Sequence, residues 1–273
     1  MTTTETLTRL ETVLETLLRD IDTVGVAVSG GVDSMTLAFV THRLFHDRAQ
    51  MLHAVSPAVA PDATERVQRY ATQHGWALEI LDAGEFDDPA YMANPHDRCF
   101  HCKTNLYDSI AARVQGQIVS GANVDDLGDY RPGLRAAADH DVRHPYVEAG
   151  MTKADVRAVA AHLELDDLAE LPASPCLSSR VQTGIAIDPS VLGAIYRVEK
   201  RLRAEIDAKT VRCRIRSDAV VIELDDQTLE ALSPDRRIAL GQQVGDLVRS
   251  SGLEQVVTFE PYRMGSAFVR PQA

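Results

Sequence analysis

The chain has 273 residues, 45% apolar and 25% charged, with a formal net charge of −12 at pH 7. That length supports one large domain plus a smaller one. The acidic balance argues against a broad nucleic-acid surface, which needs phosphate neutralisation, and no apolar run approaches a membrane span. The opening M-T-T-T-E-T-L-T-R-L carries no signal-peptide pattern, so a cytoplasmic chain is expected. Its only lysines are Lys103, Lys153, Lys200 and Lys209; an acidic, lysine-poor chain fits a high-salt cytoplasm or a GC-rich genome equally.

Leu7, Leu10, Val13, Leu14, Leu17 and Leu18 recur at helical spacing from about Thr4 to Arg19. Val24, Val26 and Val28 with Ala27 read as a short buried strand. Ser29-Gly30-Gly31 reads as a tight turn, and a helix begins near Asp33. Strands are expected over 51–55 and 76–81, on either side of a helix over 61–74. The polar stretch Asp82 to Arg98, with Gly84, Pro89 and Pro95, reads as a long functional loop. A helix over 99–114 and a strand over 117–120 follow, then Gly121-Ala122-Asn123 and an acidic loop through Asp129. Thr152-Lys153-Ala154-Asp155 has the form of a capping box, with a helix to about Leu163. This alternation implies a parallel sheet covered on both faces. Leu171 to Ile187, rich in proline and serine, reads as a linker that is also an active-site loop. After it come a helix over 189–207, strands over 210–216 and 219–224, a helix over 234–250 and a strand over 255–259. The expected fold is α/β: a parallel-sheet domain over 1–170, a linker over 171–187 and a smaller α+β domain over 188–273.

The stretch V-G-V-A-V-S-G-G-V-D-S, Val24 to Ser34, places free backbone N–H groups and a helix N-terminus around one point. That is a phosphate cradle. Neither a Walker A loop nor the dinucleotide fingerprint is present. Cys99-Phe100-His101-Cys102 is a C-x-x-C that suits a metal or a redox pair, and Cys176 lies in the loop P-A-S-P-C-L-S-S-R. Cys213 sits in R-C-R-I-R, where strand alternation puts Arg212, Arg214 and Arg216 on one face and Cys213 with Ile215 on the other, as core. Three remaining thiolates fit an iron–sulfur cluster with one open iron; zinc with His101 or Cys213 as fourth ligand, or a metal-free thiol pair, are the alternatives.

S-G-G-V-D-S resembles the PP-loop of ATP pyrophosphatases, which split ATP between the α and β phosphates. With C-K-T-N-L-Y around Lys103, G-D-Y-R-P-G-L-R from Gly128, S-P-C-L-S-S-R around Cys176 and R-C-R at Arg212, the chain resembles LarE from the phosphate loop to about Glu223. LarE is the ATP-dependent sulfur transferase of nickel-pincer nucleotide cofactor synthesis. The resemblance implies adenylation of a carboxylate of pyridinium-3,5-biscarboxylic acid mononucleotide, release of pyrophosphate, and displacement of AMP by sulfur to leave a thiocarboxylate. It implies ATP and Mg²⁺ as cofactors, an external sulfide source and a homo-oligomer. ATP would be bound by Ser29, Gly30, Gly31, Asp33, Ser34, Ser56, Lys103, Gly121 and Asp129. Asp33 would orient Mg²⁺ and Lys103 would pair with a phosphate. The phosphate of the substrate would meet Ser179, Arg180, Arg212 and Arg214, while Glu199 and Glu223 match acidic positions that would hold Mg²⁺ or substrate. The cysteine set resembles the cluster-type subset of the family, with a [4Fe–4S] cluster on Cys99, Cys102 and Cys176 in place of sacrifice of Cys176. A tRNA thiolase, which also pairs a PP-loop with cysteines, and a nucleotide-binding sensor that hydrolyses nothing are the competing readings.

Overall fold

The computed structural model describes residues 2–128 and 130–268. The chain folds as two compact units, one of Met1–Glu85 with Cys99–Ser174, the other of Phe86–Arg98 with Pro175–Ala273. The division departs from the expected one at Phe86–Arg98, which interrupts the first unit in sequence but folds with the second.

In chain order the first unit carries α1 (Thr3–Leu17), β1 (Val24–Ala27), α2 (Val32–Phe45), β2 (Ala49–Ala54), α3 (Pro61–His74) and β3 (Ala77–Leu81). After α4 (Pro89–Met92), which belongs to the second unit, come α5 (Arg98–Ala111), β4 (Gln117–Ser120), α6 (Pro132–Asp139), α7 (Pro145–Glu148), α8 (Lys153–His162) and α9 (Asp166–Ala169). The strands form one sheet in the order β3-β2-β1-β4, every pair parallel. Successive strand side chains point to opposite faces, and both faces are covered. On one, Val24, Val26, Met51 and Val119 pack with Leu10 and Leu14 of α1, Met35 and Leu37 of α2, and Val156 of α8. On the other, Ala27, Leu52 and Ile118 pack with Tyr107 and Ile110 of α5 and Ala136 of α6. Each fully buried aliphatic side chain contributes about 1.5–3 kcal/mol. The Thr152–Asp155 capping box forms as its sequence implies and starts α8.

The second unit holds α10 (Pro189–Glu205), β5 (Val211–Ile215), β6 (Ala219–Leu224), α11 (Asp226–Ala231), α12 (Pro234–Arg249) and β7 (Val256–Pro261). Its sheet runs β5-β6-β7, the first pair antiparallel and the second parallel. Cys213 is fully buried, as alternation along β5 implies, but the arginines beside it are buried too, because β5 is covered on both faces. Among the described residues, no helix is long and apolar enough to cross a membrane.

Candidate active site

The S-G-G-V-D-S turn leaves the C-terminal end of β1, where ligands of open parallel sheets bind. Three devices hold it. Ser34 Oγ accepts the backbone N–H of Ser29 at 3.0 Å, lies 3.0 Å from Ser29 Oγ and reaches Gly31 O at 3.2 Å. α3 ties it as well: Arg66 donates to Gly30 O at 2.7 Å. His53 on β2 fixes the strand just before the turn, with Nδ1 2.8 Å from Val28 O and Nε2 2.9 Å from Thr64 Oγ1. A carbonyl only accepts, so Nδ1 carries the proton and Nε2 takes the Thr64 hydroxyl hydrogen; burial, which pushes the His53 pKa down, keeps this ring neutral. Gly31 caps α2 with no side-chain hydrogen bond, which leaves the N–H groups of the first turn for an anion. Gly30 sits at φ +80°, and a Cβ there would lie 2.7 Å from Ala63 O. Gly30→Ala is therefore expected to cost about 1–3 kcal/mol of stability and to displace the loop. Calorimetry with and without ATP checks it, a weakened nucleotide response being the expected outcome.

Ser56, in the turn after β2, and Gly121, after β4, stand at the same end of the sheet as Ser29. Gly121 packs on the start of α2: a Cβ would lie 2.9 Å from the backbone of Asp33 and Ser34. Asp33 is held by residues far away in sequence. Asn123 Nδ2 donates to Oδ1 at 3.2 Å, the Tyr146 hydroxyl donates to its carbonyl at 3.0 Å, and Lys153 Nζ forms an ion pair with Oδ2. The backbone N–H of Lys153 in turn donates to Asp125 Oδ2 at 2.9 Å. Lys153, Asn123 and Tyr146 were not among the residues the sequence singled out. The one local signal was the capping box, which marks Lys153 as the first residue of a helix following the acidic loop. Lys103 lies on α5 where α6 crosses closely, a Cβ on Gly133 meeting its Cγ at 3.0 Å. Asp129 lies outside the described residues.

In the second unit the remaining candidates form one buried network. Arg180 makes a bidentate pair with Glu199, at 2.9 and 3.0 Å. Glu199 also accepts from Arg203 at 2.9 Å and from the Cys213 N–H at 3.1 Å. Burial would raise the Glu199 pKa, but the hydrogen bonds and charge of Arg180 hold it below the usual carboxylate range. Arg214 pairs with Glu223 at 2.9 Å. Burial, with the Arg180 charge beside it, pushes the pKa of Arg212 down to about 10. Arg180 and Arg203 thus share the Glu199 carboxylate with the Arg212 charge close by, and guanidinium groups are suited to phosphate. Arginines also hold the Cys176 loop by its carbonyls: Arg180 takes Pro175 O and Cys176 O, and Arg214 takes Ser179 O at 2.9 Å. The Ser179 hydroxyl donates to Cys176 O at 2.7 Å. Cys176 itself is exposed, while Leu177 to Arg180 are buried. Cys99 and Cys102, half-buried, stand one turn apart at the start of α5 in the first unit. Among the described residues, no three His, Cys, Asp or Glu side chains of either unit converge closely enough to hold a metal ion.

No family model matches the chain. It is 34% identical over 263 residues to the uncharacterized protein slr1717 of Synechocystis sp. (strain ATCC 27184 / PCC 6803 / Kazusa), covering 94% of this chain and 97% of that one. It is 29% identical over 226 residues, 81% of each chain, to the pyridinium-3,5-bisthiocarboxylic acid mononucleotide synthase of Lactiplantibacillus plantarum. The uncharacterized protein MJ0830 of Methanocaldococcus jannaschii is 23% identical over 217 residues, covering 78% of this chain and 82% of that one.

Proposed function

We propose that the chain is a member of the LarE family, an ATP-dependent transferase that puts sulfur on a pyridinium biscarboxylic acid mononucleotide; its likeness to the synthase of Lactiplantibacillus plantarum supports this reading. The observation that carries the reading is the phosphate cradle at the C-terminal end of the parallel sheet, with Asp33 and Lys153 paired at its rim. A substrate carboxylate oxygen attacks the α-phosphorus of ATP, the bond to the bridging oxygen breaks, and pyrophosphate leaves into the Ser29–Ser34 turn. Asp33 would hold the Mg²⁺ that accompanies ATP, which would supply charge stabilisation there; Lys153 and Lys103 offset the charge growing on the phosphates. Sulfur then attacks the carbonyl carbon, the bond to the AMP oxygen breaks, and a thiocarboxylate remains.

The substrate also carries a phosphate, and the buried arginines Arg180, Arg212 and Arg214 beside Ser179 support its binding there. Glu199 and Glu223 act in this reading by orienting Arg180 and Arg214. Arg212→Ala is expected to weaken substrate binding by ~2–4 kcal/mol while leaving ATP binding nearly intact. Titration calorimetry with each ligand tests this; an equal loss for ATP would move the strand to the nucleotide site.

The number and chemistry of the donors support a [4Fe–4S] cluster, two half-buried thiols one turn apart and an exposed third, although among the described residues no three such side chains converge within either unit. Cys99, Cys102 and Cys176 would hold it, and when bound it would supply a renewable sulfide from its open iron. Cys213, whose thiol burial pushes well above its ordinary pKa, is not part of this set.

A further inference from the structure

The segment Phe86–Arg98 carries buried polar groups that the reaction above does not use. Asn94 is fully buried at φ +52°. Its Nδ2 donates to Gln182 O at 2.9 Å and Ile185 O at 2.8 Å, and its carbonyl accepts the Gly184 N–H at 2.9 Å. Its Oδ1 accepts from Arg98 Nη1, which also donates to Ser178 O at 3.0 Å. Tyr91 adds a hydroxyl 2.7 Å from Ser178 Oγ, and Met92 O accepts the Ile187 N–H at 2.9 Å. The segment is thus a strap along the inner side of residues 178–187, next to Cys176.

Arg98 is the unusual member. It is 3% exposed, its Nη2 has no hydrogen-bond partner, and among the described residues no carboxylate pairs with it; the Phe268 ring lies 5.7 Å from its guanidinium carbon. A buried cation without a counter-ion is costly, so stability alone does not account for an arginine here. Its Nη1 joins the Asn94 side chain to Ser178 O, a bridge that no apolar residue could make. Arg98 also opens α5, the helix that carries Cys99 and Cys102.

We propose that Arg98, fixed by Asn94, is a positioning residue for the sulfur-transfer step: it holds the Cys176 loop from within so that the thiol is presented outward. With Arg98 on Ser178 O, Arg214 on Ser179 O and Arg180 on Pro175 O and Cys176 O, four loop carbonyls are gripped from the buried side. This rests on the function proposed above, and the test separates the two.

The experiment compares wild type with Arg98→Lys, which keeps the charge but is shorter and lacks the planar guanidinium, and with the milder Tyr91→Phe. Two quantities are read: thiocarboxylate formed per pyrophosphate released, and the alkylation rate of Cys176 by iodoacetamide in protein free of iron, ATP and substrate, followed by peptide mass spectrometry. For Arg98→Lys, pyrophosphate release is expected to stay within about twofold of wild type. Thiocarboxylate per pyrophosphate should fall at least tenfold and Cys176 alkylation should shift at least threefold, with Tyr91→Phe moving both in the same direction by less. An unchanged ratio with unchanged alkylation would overturn the role, as would a parallel loss of both half-reactions in a folded Tyr91→Phe. Wild type that releases no pyrophosphate would sink the proposed function, while the alkylation comparison would still decide the role of Arg98.

Discussion

Asp33→Ala is expected to slow substrate-dependent pyrophosphate release at least ~10²-fold with little loss of fold stability. The asymmetry follows from where the carboxylate sits. Its ion pair with Lys153 is partly exposed, with side-chain exposures of 25% for Asp33 and 34% for Lys153, and pairs of that kind contribute about 0–1 kcal/mol. The fold therefore loses little when it goes. On the proposed reading, the reaction would lose the group that places the metal on the phosphates as charge develops. Asp33→Asn refines the test: it keeps an oxygen for Asn123 Nδ2 but carries no charge. A loss as deep as that of alanine assigns the effect to charge, and Mg²⁺ titration of each variant should show a raised metal requirement. Near-normal rates for Asp33→Asn would reduce Asp33 to a structural tie between α2, Asn123 and Lys153.

The cysteines carry the second large effect. Any one of Cys99→Ala, Cys102→Ala or Cys176→Ala is expected to abolish sulfur transfer together with the iron, acid-labile sulfide and brown colour of anaerobically purified protein. Cys213→Ala should keep all of these, at a packing cost of about 1 kcal/mol, because its side chain lies in the core against α10 and the sheet. Mass spectrometry of the enzyme after many turnovers should find Cys176 intact. Activity that needs Cys176 alone, ends after one sulfur per chain and leaves protein lighter by H₂S would contradict the cluster reading and establish sacrifice of the side chain.

The phosphate turn was legible because every signal in it is local: alternating valines, two glycines, then helical spacing from Met35. The helix over Pro61–His74 and strand Gln117–Ser120 were read to the residue for the same reason. Contacts far apart in sequence left no such trace. Lys153 meets Asp33 across 120 residues, and a capping box gives no hint of it. The stretch before Cys99 misled because its polar residues and prolines look solvated. Asn94 and Arg98 are buried there only because the carbonyls of residues 178–185 come to meet them. On β5 the alternation gave the sides correctly but not their depth. Arg214 and Arg216 are covered by Glu223 and Glu260 of neighbouring strands, partners that a single strand cannot disclose.

The most direct test is to give the anaerobic protein ATP, Mg²⁺, sulfide and pyridinium-3,5-biscarboxylic acid mononucleotide, and to follow nucleotides by ³¹P NMR and the pyridinium product by mass. The account predicts AMP and pyrophosphate, formed only with the substrate present, and a product in which sulfur has replaced a carboxylate oxygen. ADP with orthophosphate, or AMP released at the same rate without the substrate, would contradict it.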